Sequence, residues 1–140
     1  MIIRLLLYFF IILILPEKSI ANNKFYEDGI KFFKKQKFEK AKFKFEQDIV
    51  YNPKNEFSYL YLSKIFKNFE KKELEEQNLK TVILLNPKNE EAIYQLAKLK
   101  LEASDYKKSK ELNDRLTNLC KKFCEKSYKL KIEIENLSKK

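Results

Sequence analysis

The sequence predicts an all-α protein, a short right-handed α-solenoid of helix-turn-helix repeats closed by a C-terminal helix. Two observations lead to this prediction. The pentapeptide NPKNE occurs at residues 52–56 and again, unchanged, 34 residues later at 86–90. When residues 22–55, 56–89 and 90–123 are aligned as three frames, their apolar positions coincide. A period of 34 residues is typical of stacked helix pairs.

The first 21 residues differ from the repeats, and we interpret them as an export signal. Arg4 precedes an apolar run from Leu5 to Leu15, Pro16 ends the run, and small residues precede a cleavage point after Ala21. The alternative is an uncleaved membrane anchor, although the run is shorter than the ~20 residues that a spanning helix needs. The sequence therefore predicts an exported chain, either periplasmic or secreted.

The first frame, residues 22–55, predicts two amphipathic helices. Apolar or small residues fall at helical spacing in two runs, which are Phe25, Gly29 and Phe32, then Phe38, Ala41, Phe45 and Ile49. The Asn52-Pro53 step ends the second helix, because proline disfavours helical geometry in the residue before it.

The second and third frames repeat this pattern, and residues 124–140 predict a closing helix and a tail. Slight side chains are expected where the two helices of a pair cross, at Gly29, Ser63 and Ala97, because helix axes approach within ~8–10 Å only there. The closing helix, predicted at 124–138, has one apolar face, formed by Phe123, Leu130, Ile134 and Leu137. Such a helix would cover the apolar face of the last repeat.

These residues resemble the tetratricopeptide repeat family, which places an aromatic and then a small residue in its first helix, an aromatic and an alanine in its second, and a proline near the close. The first frame matches best, at Phe25, Gly29, Phe38, Ala41, Phe45 and Pro53. In the second frame Glu75 stands where the family prefers alanine, which predicts looser packing between its two helices. The third frame lacks the closing proline. The resemblance covers about 100 of the 119 residues that follow Ala21.

The resemblance also implies a function, because the first helix of each pair lines a concave surface that binds a protein or peptide. The positions that would face this groove are Asn23, Tyr26, Ile30, Phe33, Lys64, Lys67, Asn68, Tyr94 and Lys98. Some family members clamp a C-terminal carboxylate with Lys and Asn, but Tyr26 and Ile30 occupy the matching places here. We therefore expect a helical or extended peptide with apolar anchors and some negative charge. Packing between repeats is an alternative role for Ile30 and Phe33.

The charge of the chain favours some partners over others. The 30 basic and 20 acidic residues give a formal net charge of +10, a field that attracts anionic membranes, acidic polymers or acidic proteins. Arg4 and Arg115 are the only arginines, so the chain has few of the planar groups suited to reading nucleic acid. We expect no nucleic-acid partner. A solvated lysine-rich surface explains the charge as well, and peripheral contact with an anionic envelope surface stays an alternative.

The two cysteines, Cys120 and Cys124, bracket the third turn. An even cysteine count in an exported chain favours a disulfide, worth roughly 2 kcal/mol for so short a loop. The alternatives are a redox pair and a metal site. A redox pair more often has two residues between its thiols, and zinc would need further ligands in a chain without histidine. We expect a structural disulfide, no metal and no cofactor.

Catalysis has little support in the sequence. One glycine excludes a glycine-rich phosphate loop, and the absence of histidine excludes the common nucleophile–base pairs. We therefore expect no enzyme. The leading hypothesis is an exported adaptor that binds a protein or peptide in its groove. A lysine-rich structural component of the cell envelope and a thiol enzyme are the alternatives, and self-association of so short an array stays open.

Overall fold

The computed structural model describes residues 23–139, and this part of the chain consists of seven α-helices. The predicted all-α fold is confirmed; the predicted export signal, residues 1–21, lies outside the described residues. The helices are α1 (Lys24–Lys34), α2 (Phe38–Tyr51), α3 (Glu56–Asn68), α4 (Lys72–Leu85), α5 (Glu90–Glu102), α6 (Tyr106–Leu119) and α7 (Cys124–Leu137). Each helix packs on its neighbours in the chain, and α7 also contacts α5. Within residues 23–139, no helix combines the length and the apolar character needed to cross a membrane.

The turns inside the three pairs share one backbone geometry. Gln36, Glu70 and Ser104 stand 34 residues apart, and each has a positive φ, of 55°, 57° and 60° respectively. In every case the following amide donates to the carbonyl five residues earlier, at 2.9–3.0 Å. This left-handed residue and its backbone bond end the first helix of each pair.

The turns between the pairs explain the repeated pentapeptide. Asn52 and Asn86 have φ values of −127° and −135°, outside the helical region, as the following prolines require. Two residues after each proline, a second asparagine caps the next helix: Asn55 accepts a hydrogen bond from the Phe57 amide at 3.2 Å, and Asn89 accepts one from the Ala92 amide at 3.0 Å. One motif therefore ends a helix and starts the next.

A carboxylate holds each of these turns. In the second turn, Glu56 accepts hydrogen bonds from the side-chain amides of Asn86 and Asn89, at 2.8 and 3.1 Å. In the third turn, which has neither asparagine, Glu90 accepts from the backbone amides of Lys122 and Phe123 at 2.9 and 2.8 Å. The first residue of the repeat thus binds the turn that ends the same repeat.

The first turn uses a different carboxylate, because the frame position of Glu56 and Glu90 is occupied there by Asn22. Asp48, fully buried on α2, accepts from the side-chain amides of Asn52 and Asn55 at 2.9 and 2.7 Å. It also accepts from the Ser58 hydroxyl at 2.6 Å, which joins α2 to α3. The same position holds Val82 and Leu116 in the other repeats.

The third repeat is closed by α7, which confirms the predicted capping helix. Leu130 and Ile134 of α7 are buried in the same core cluster as Leu116. Asn113 of α6 donates to the Ser127 carbonyl and accepts from the Ser127 hydroxyl, both at 3.0 Å. These bonds fix the orientation of α7 on α6. Cys120 and Cys124 form a disulfide across the turn between these helices, with their Cα atoms 5.3 Å apart.

Two clusters of apolar side chains form the core, one from α1 to α3 and the other from α3 to α7. In the first cluster Gly29 lies against the ring of Phe45, where an added Cβ would come within 2.7 Å of a ring carbon. The Phe45 ring also stacks on Tyr61, with centroids 4.9 Å apart. Glycine is therefore required here for close approach of α1 to α2.

The looser packing expected at Glu75 is not found. Leu79 and Val82, on the same helix, are fully buried in one cluster with Leu60 of α3. Glu75 is itself 5% exposed and borders cavities at the edge of the contact. The helices can pack closely because this carboxyl group lies beside the apolar contact.

Candidate functional site

The largest of the cavities that border the first helices lies at the N-terminal end. It has a volume of about 680 Å³, and we call it the aromatic cavity. Its lining comes from α1, the end of α2, the first inter-pair turn and the start of α3: Asn23, Tyr26, Glu27, Tyr51, Asn52, Pro53, Lys54, Asn55 and Phe57. One acid and one base are among these residues, so the lining has no formal net charge.

Three rings shape the aromatic cavity. Tyr51 is 67% exposed and stacks on Phe25, with centroids 5.4 Å apart, while Phe57 is 51% exposed. Tyr26 lies between Phe57 and Tyr61, at 6.4 and 6.1 Å, and is held in place by them. Burial, followed by the nearby Tyr61 and Asp48, raises the pKa of the Tyr26 phenol, so the phenol stays protonated at neutral pH. The cavity presents apolar ring surface around a neutral hydroxyl group.

A second cavity, of about 280 Å³, lies further along the first helices, and we call it the central cavity. It is lined by Phe33, Ser63, Lys64, Lys67, Asn68, Glu75 and Gln95. Lys64 forms an ion pair with Glu91 at 2.8 Å, and Asn68 donates to the Lys64 carbonyl at 2.8 Å. The middle of the surface is therefore mixed in charge, whereas the sequence predicted it to be basic.

A third cavity, of about 430 Å³, adjoins the central one, and we call it the acidic cavity. It is lined by Lys67, Glu70, Lys72, Glu75 and Glu102, so three carboxyl groups meet two ammonium groups. Glu75 and Lys67 border both cavities. Burial raises the pKa of the Glu75 carboxyl; Lys67 and Lys72 act in the opposite direction, and Glu102 adds to the rise.

The predicted groove residues divide into two groups in the structure. Asn23 and Tyr26 border the aromatic cavity, whereas Phe33, Lys64, Lys67 and Asn68 border the central one. Tyr94 and Lys98 border neither. The Tyr94 ring packs on Phe123 with centroids 5.7 Å apart, and the Lys126 ammonium lies 5.6 Å from its centre, so the start of α7 contacts it.

Ile30 and Phe33 both pack against the first core cluster, in agreement with their alternative role. The Phe33 ring contacts Phe38 and Tyr61 at 5.5 and 5.0 Å. Phe33 also borders the central cavity, so packing and lining coexist in one side chain.

Two exposed aromatic residues of the site were missed by the sequence reading. Phe57 occupies the same position in the second frame as Asn23 does in the first, so the alignment contained a signal for it. Tyr51 lies at the end of a second helix, outside the helices expected to line the groove. Its role depends on its stack with Phe25, which no spacing rule gives.

Solved structures similar to this chain are tetratricopeptide repeat domains. The first such domain of Spaghetti (RPAP3), bound to an HSP90 peptide, is 17% identical with a TM-score of 0.76, and the match covers 88% of this chain and 97% of that one. The TPR2B domain of yeast Sti1, in a complex with pHsp70, is 13% identical with a TM-score of 0.77, covering 85% and 99%.

The Yersinia enterocolitica type III secretion chaperone SycD, in complex with a peptide of the translocator YopD, is 15% identical with a TM-score of 0.76, and the match covers 90% of this chain and all of that one. No protein-family model and no curated protein matches the sequence. At these identities the structural matches show the fold, which is that of a tetratricopeptide repeat domain with a capping helix.

Proposed function

We propose that this chain, which has the tetratricopeptide repeat fold, is a non-catalytic module that binds a segment of another protein along its first helices. The observation that carries the proposal is the aromatic cavity. Tyr51 and Phe57 expose most of their rings in a concave space large enough for one or two side chains of a ligand. Exposed aromatic side chains gathered in one place are typical of binding sites, because each contributes a large contact area.

The three similar structures described above each hold a peptide or a partner, which supports a binding role for this fold. The present chain differs from a carboxylate clamp, since Tyr26 and Ile30 occupy the places where the sequence resemblance expects Lys and Asn. We infer that the aromatic cavity takes an apolar or aromatic anchor of the ligand.

The site of action is a separate part of the proposal. The apolar run at Leu5–Leu15 and the small residues before Ala21 support export and cleavage. The disulfide between Cys120 and Cys124 fits an oxidising compartment. We therefore place the module outside the cytoplasm, where its partner would also be an exported protein.

Selection from a random dodecamer peptide library, with residues 22–140 immobilised, tests the binding role. We expect enrichment of peptides that share one aromatic or branched apolar residue. Binding of a selected peptide, measured by fluorescence anisotropy, should weaken at least tenfold in Phe57→Ala, because truncation of an aromatic contact residue commonly costs more than ~1.4 kcal/mol.

Leu84→Ala provides the matched control, since Leu84 is 80% exposed, lies on α4 and borders none of the three cavities described. Its peptide affinity should equal that of the unmodified chain. Failure of the library to yield any saturable binder would refute the proposal, as would selected peptides that bind Phe57→Ala and the unmodified chain equally.

A further inference from the structure

Glu75 is a buried carboxyl group for which the repeat pattern has no need. The equivalent positions in the first and third repeats hold Ala41 and Ser109, both fully buried. Ser109 donates its hydroxyl hydrogen to the Ala97 carbonyl at 2.8 Å, so it fits between the two helices with a partner. Glu75 occupies this position in the second repeat and is larger and ionisable.

The carboxyl group of Glu75 lacks a partner. Its residue is 5% exposed, and within residues 23–139 no donor lies at hydrogen-bond distance and no cation within 4.0 Å. Lys67, which borders the same two cavities, donates instead to the Gln95 amide oxygen at 3.5 Å. A buried carboxylate without a hydrogen bond is unfavourable, and its binding capacity stays unused.

The space beside Glu75 is the acidic cavity of about 430 Å³. Glu70 and Glu102 also line it, and they outnumber Lys67 and Lys72 when Glu75 is included. This acidic excess lies in a chain of formal charge +10. Its position next to the central cavity places it at one end of the surface to which the proposed function assigns a peptide.

The chemistry of the cavity favours one class of ligand. Within the described part of the chain, no group of three acidic or sulfur-bearing side chains is arranged to hold a metal ion, so the three carboxyl groups do not form a cation cage. An ammonium or guanidinium group on a flexible side chain brings its own hydrogen-bond donors and needs only one or two carboxylates.

We propose that the acidic cavity binds a basic side chain, lysine or arginine, of the partner protein, with Glu75 as its buried counter-ion. This inference rests on the proposed function, since it assigns a second anchor to the same bound segment. The first anchor lies among the rings of Tyr51 and Phe57, and the second lies between α3, α4 and α5. A ligand with an aromatic and a basic residue would occupy both.

A titration with N-acetyl-arginine methylamide, followed by amide chemical shifts of isotope-labelled residues 22–140, tests the site without a peptide. The probe carries one positive charge on an uncharged backbone. We expect saturable shifts at Glu75, Gln95 and Glu102, and none from N-acetyl-citrulline methylamide, which has a similar shape but no charge. The same titration of Glu75→Gln should show loss of the shifts.

Glu73→Gln is the matched control, because Glu73 is an exposed glutamate on the same helix and borders neither adjoining cavity. It should keep the full response to the arginine probe. No saturable shift, an equal response to the citrulline probe, or an unchanged response in Glu75→Gln would each overturn the inference. A peptide library that yields no binder would contradict the proposed function alone, so the two failures are distinguishable.

Discussion

Two buried carboxyl groups of this chain have opposite surroundings. Asp48 accepts three hydrogen bonds, from Asn52, Asn55 and Ser58, and joins two helices to the turn between them. Glu75 accepts none and borders two cavities. Asp48 therefore stabilises the fold, whereas Glu75 is a cost to the fold that a ligand can offset.

Replacing Glu75 with glutamine should stabilise the free protein by about 1 kcal/mol at pH 7, because the buried charge is removed and the shape is kept. Burial raises the pKa of the Glu75 carboxyl, so the ionised form is disfavoured in the folded chain. The penalty is then complete above the raised pKa and disappears as the pH falls towards the ordinary value of 4.5. Urea unfolding at pH 7 and at pH 4 should therefore show a difference between the two proteins that shrinks at the lower pH.

The exposed Glu73 gives the comparison, since Glu73→Gln should change the free energy of unfolding little at either pH. A stability gain in Glu75→Gln that is equal at pH 7 and pH 4 would show that the carboxyl charge is not its cause.

The sequence predicted the groove positions well where they depend on helical spacing. Asn23, Tyr26, Phe33 and Lys64 border cavities because their place on the first helices is set by the 34-residue period. It could not predict the unpartnered state of Glu75, which depends on where the Lys67 side chain points. Nor could it predict that Asp48 replaces the glutamate missing from the first frame.

The three turns inside the helix pairs use ordinary residues where glycine is usual. Gln36, Glu70 and Ser104 all have φ near +60°, a region that side chains with a Cβ enter at a cost. The single glycine of the chain, Gly29, lies in a helix for packing and not in a turn. Each pair therefore stores a small local strain at its turn.

Glycine at one of these turns should stabilise the protein. We expect Ser104→Gly to raise the free energy of unfolding by about 0.5–1 kcal/mol, because removal of the Cβ relieves the left-handed backbone. Ser104 is exposed, so its side chain contributes little packing. Urea unfolding monitored by circular dichroism measures the change.

Glu133→Gly tests whether position decides the sign, because Glu133 lies exposed inside α7. It should lose about 1 kcal/mol, as glycine does in a helix interior. A Ser104→Gly protein no more stable than the unmodified chain would argue against strain at the turn.

The helices were predictable because apolar periodicity is a local signal, and the asparagine–proline steps marked the ends of α2 and α4. The ends of α1, α3 and α5 were harder to place. Nothing in Gln36, Glu70 or Ser104 marks a left-handed residue, and only the backbone bonds across the turn reveal it.

Considered as one molecule, the chain is an array with a distinct closure at its C-terminal end. The two core clusters meet at α3, which contributes Leu60 to one and Ile65 to the other. At the far end, Asn113 and the disulfide attach α7. The order of the repeats therefore fixes which face of the last helix pair is covered.

The chain recovered from its own compartment should begin at Asn22 and contain a disulfide. Its intact mass should equal that of residues 22–140 less the mass of two hydrogen atoms. Iodoacetamide should modify Cys120 and Cys124 only after reduction, because disulfide sulfurs are not nucleophilic. Mass spectrometry with and without reductant measures both properties.

A Cys124→Ser chain serves as the reference for a single free thiol at Cys120. Material that retains residues 1–21 would contradict cleavage, and two cysteines alkylated without reductant would contradict the oxidised state.

The clasp formed by Glu56 with Asn86 and Asn89 has both of its halves inside residues 56–89. A tandem copy of this segment would bring its own fastening with it, whereas the first repeat depends on Asp48 and the third on Glu90 and α7. The middle repeat is thus the natural spare part of the molecule. Lengthening the array by inserting duplicates of it would preserve both ends and multiply the buried glutamate along one side.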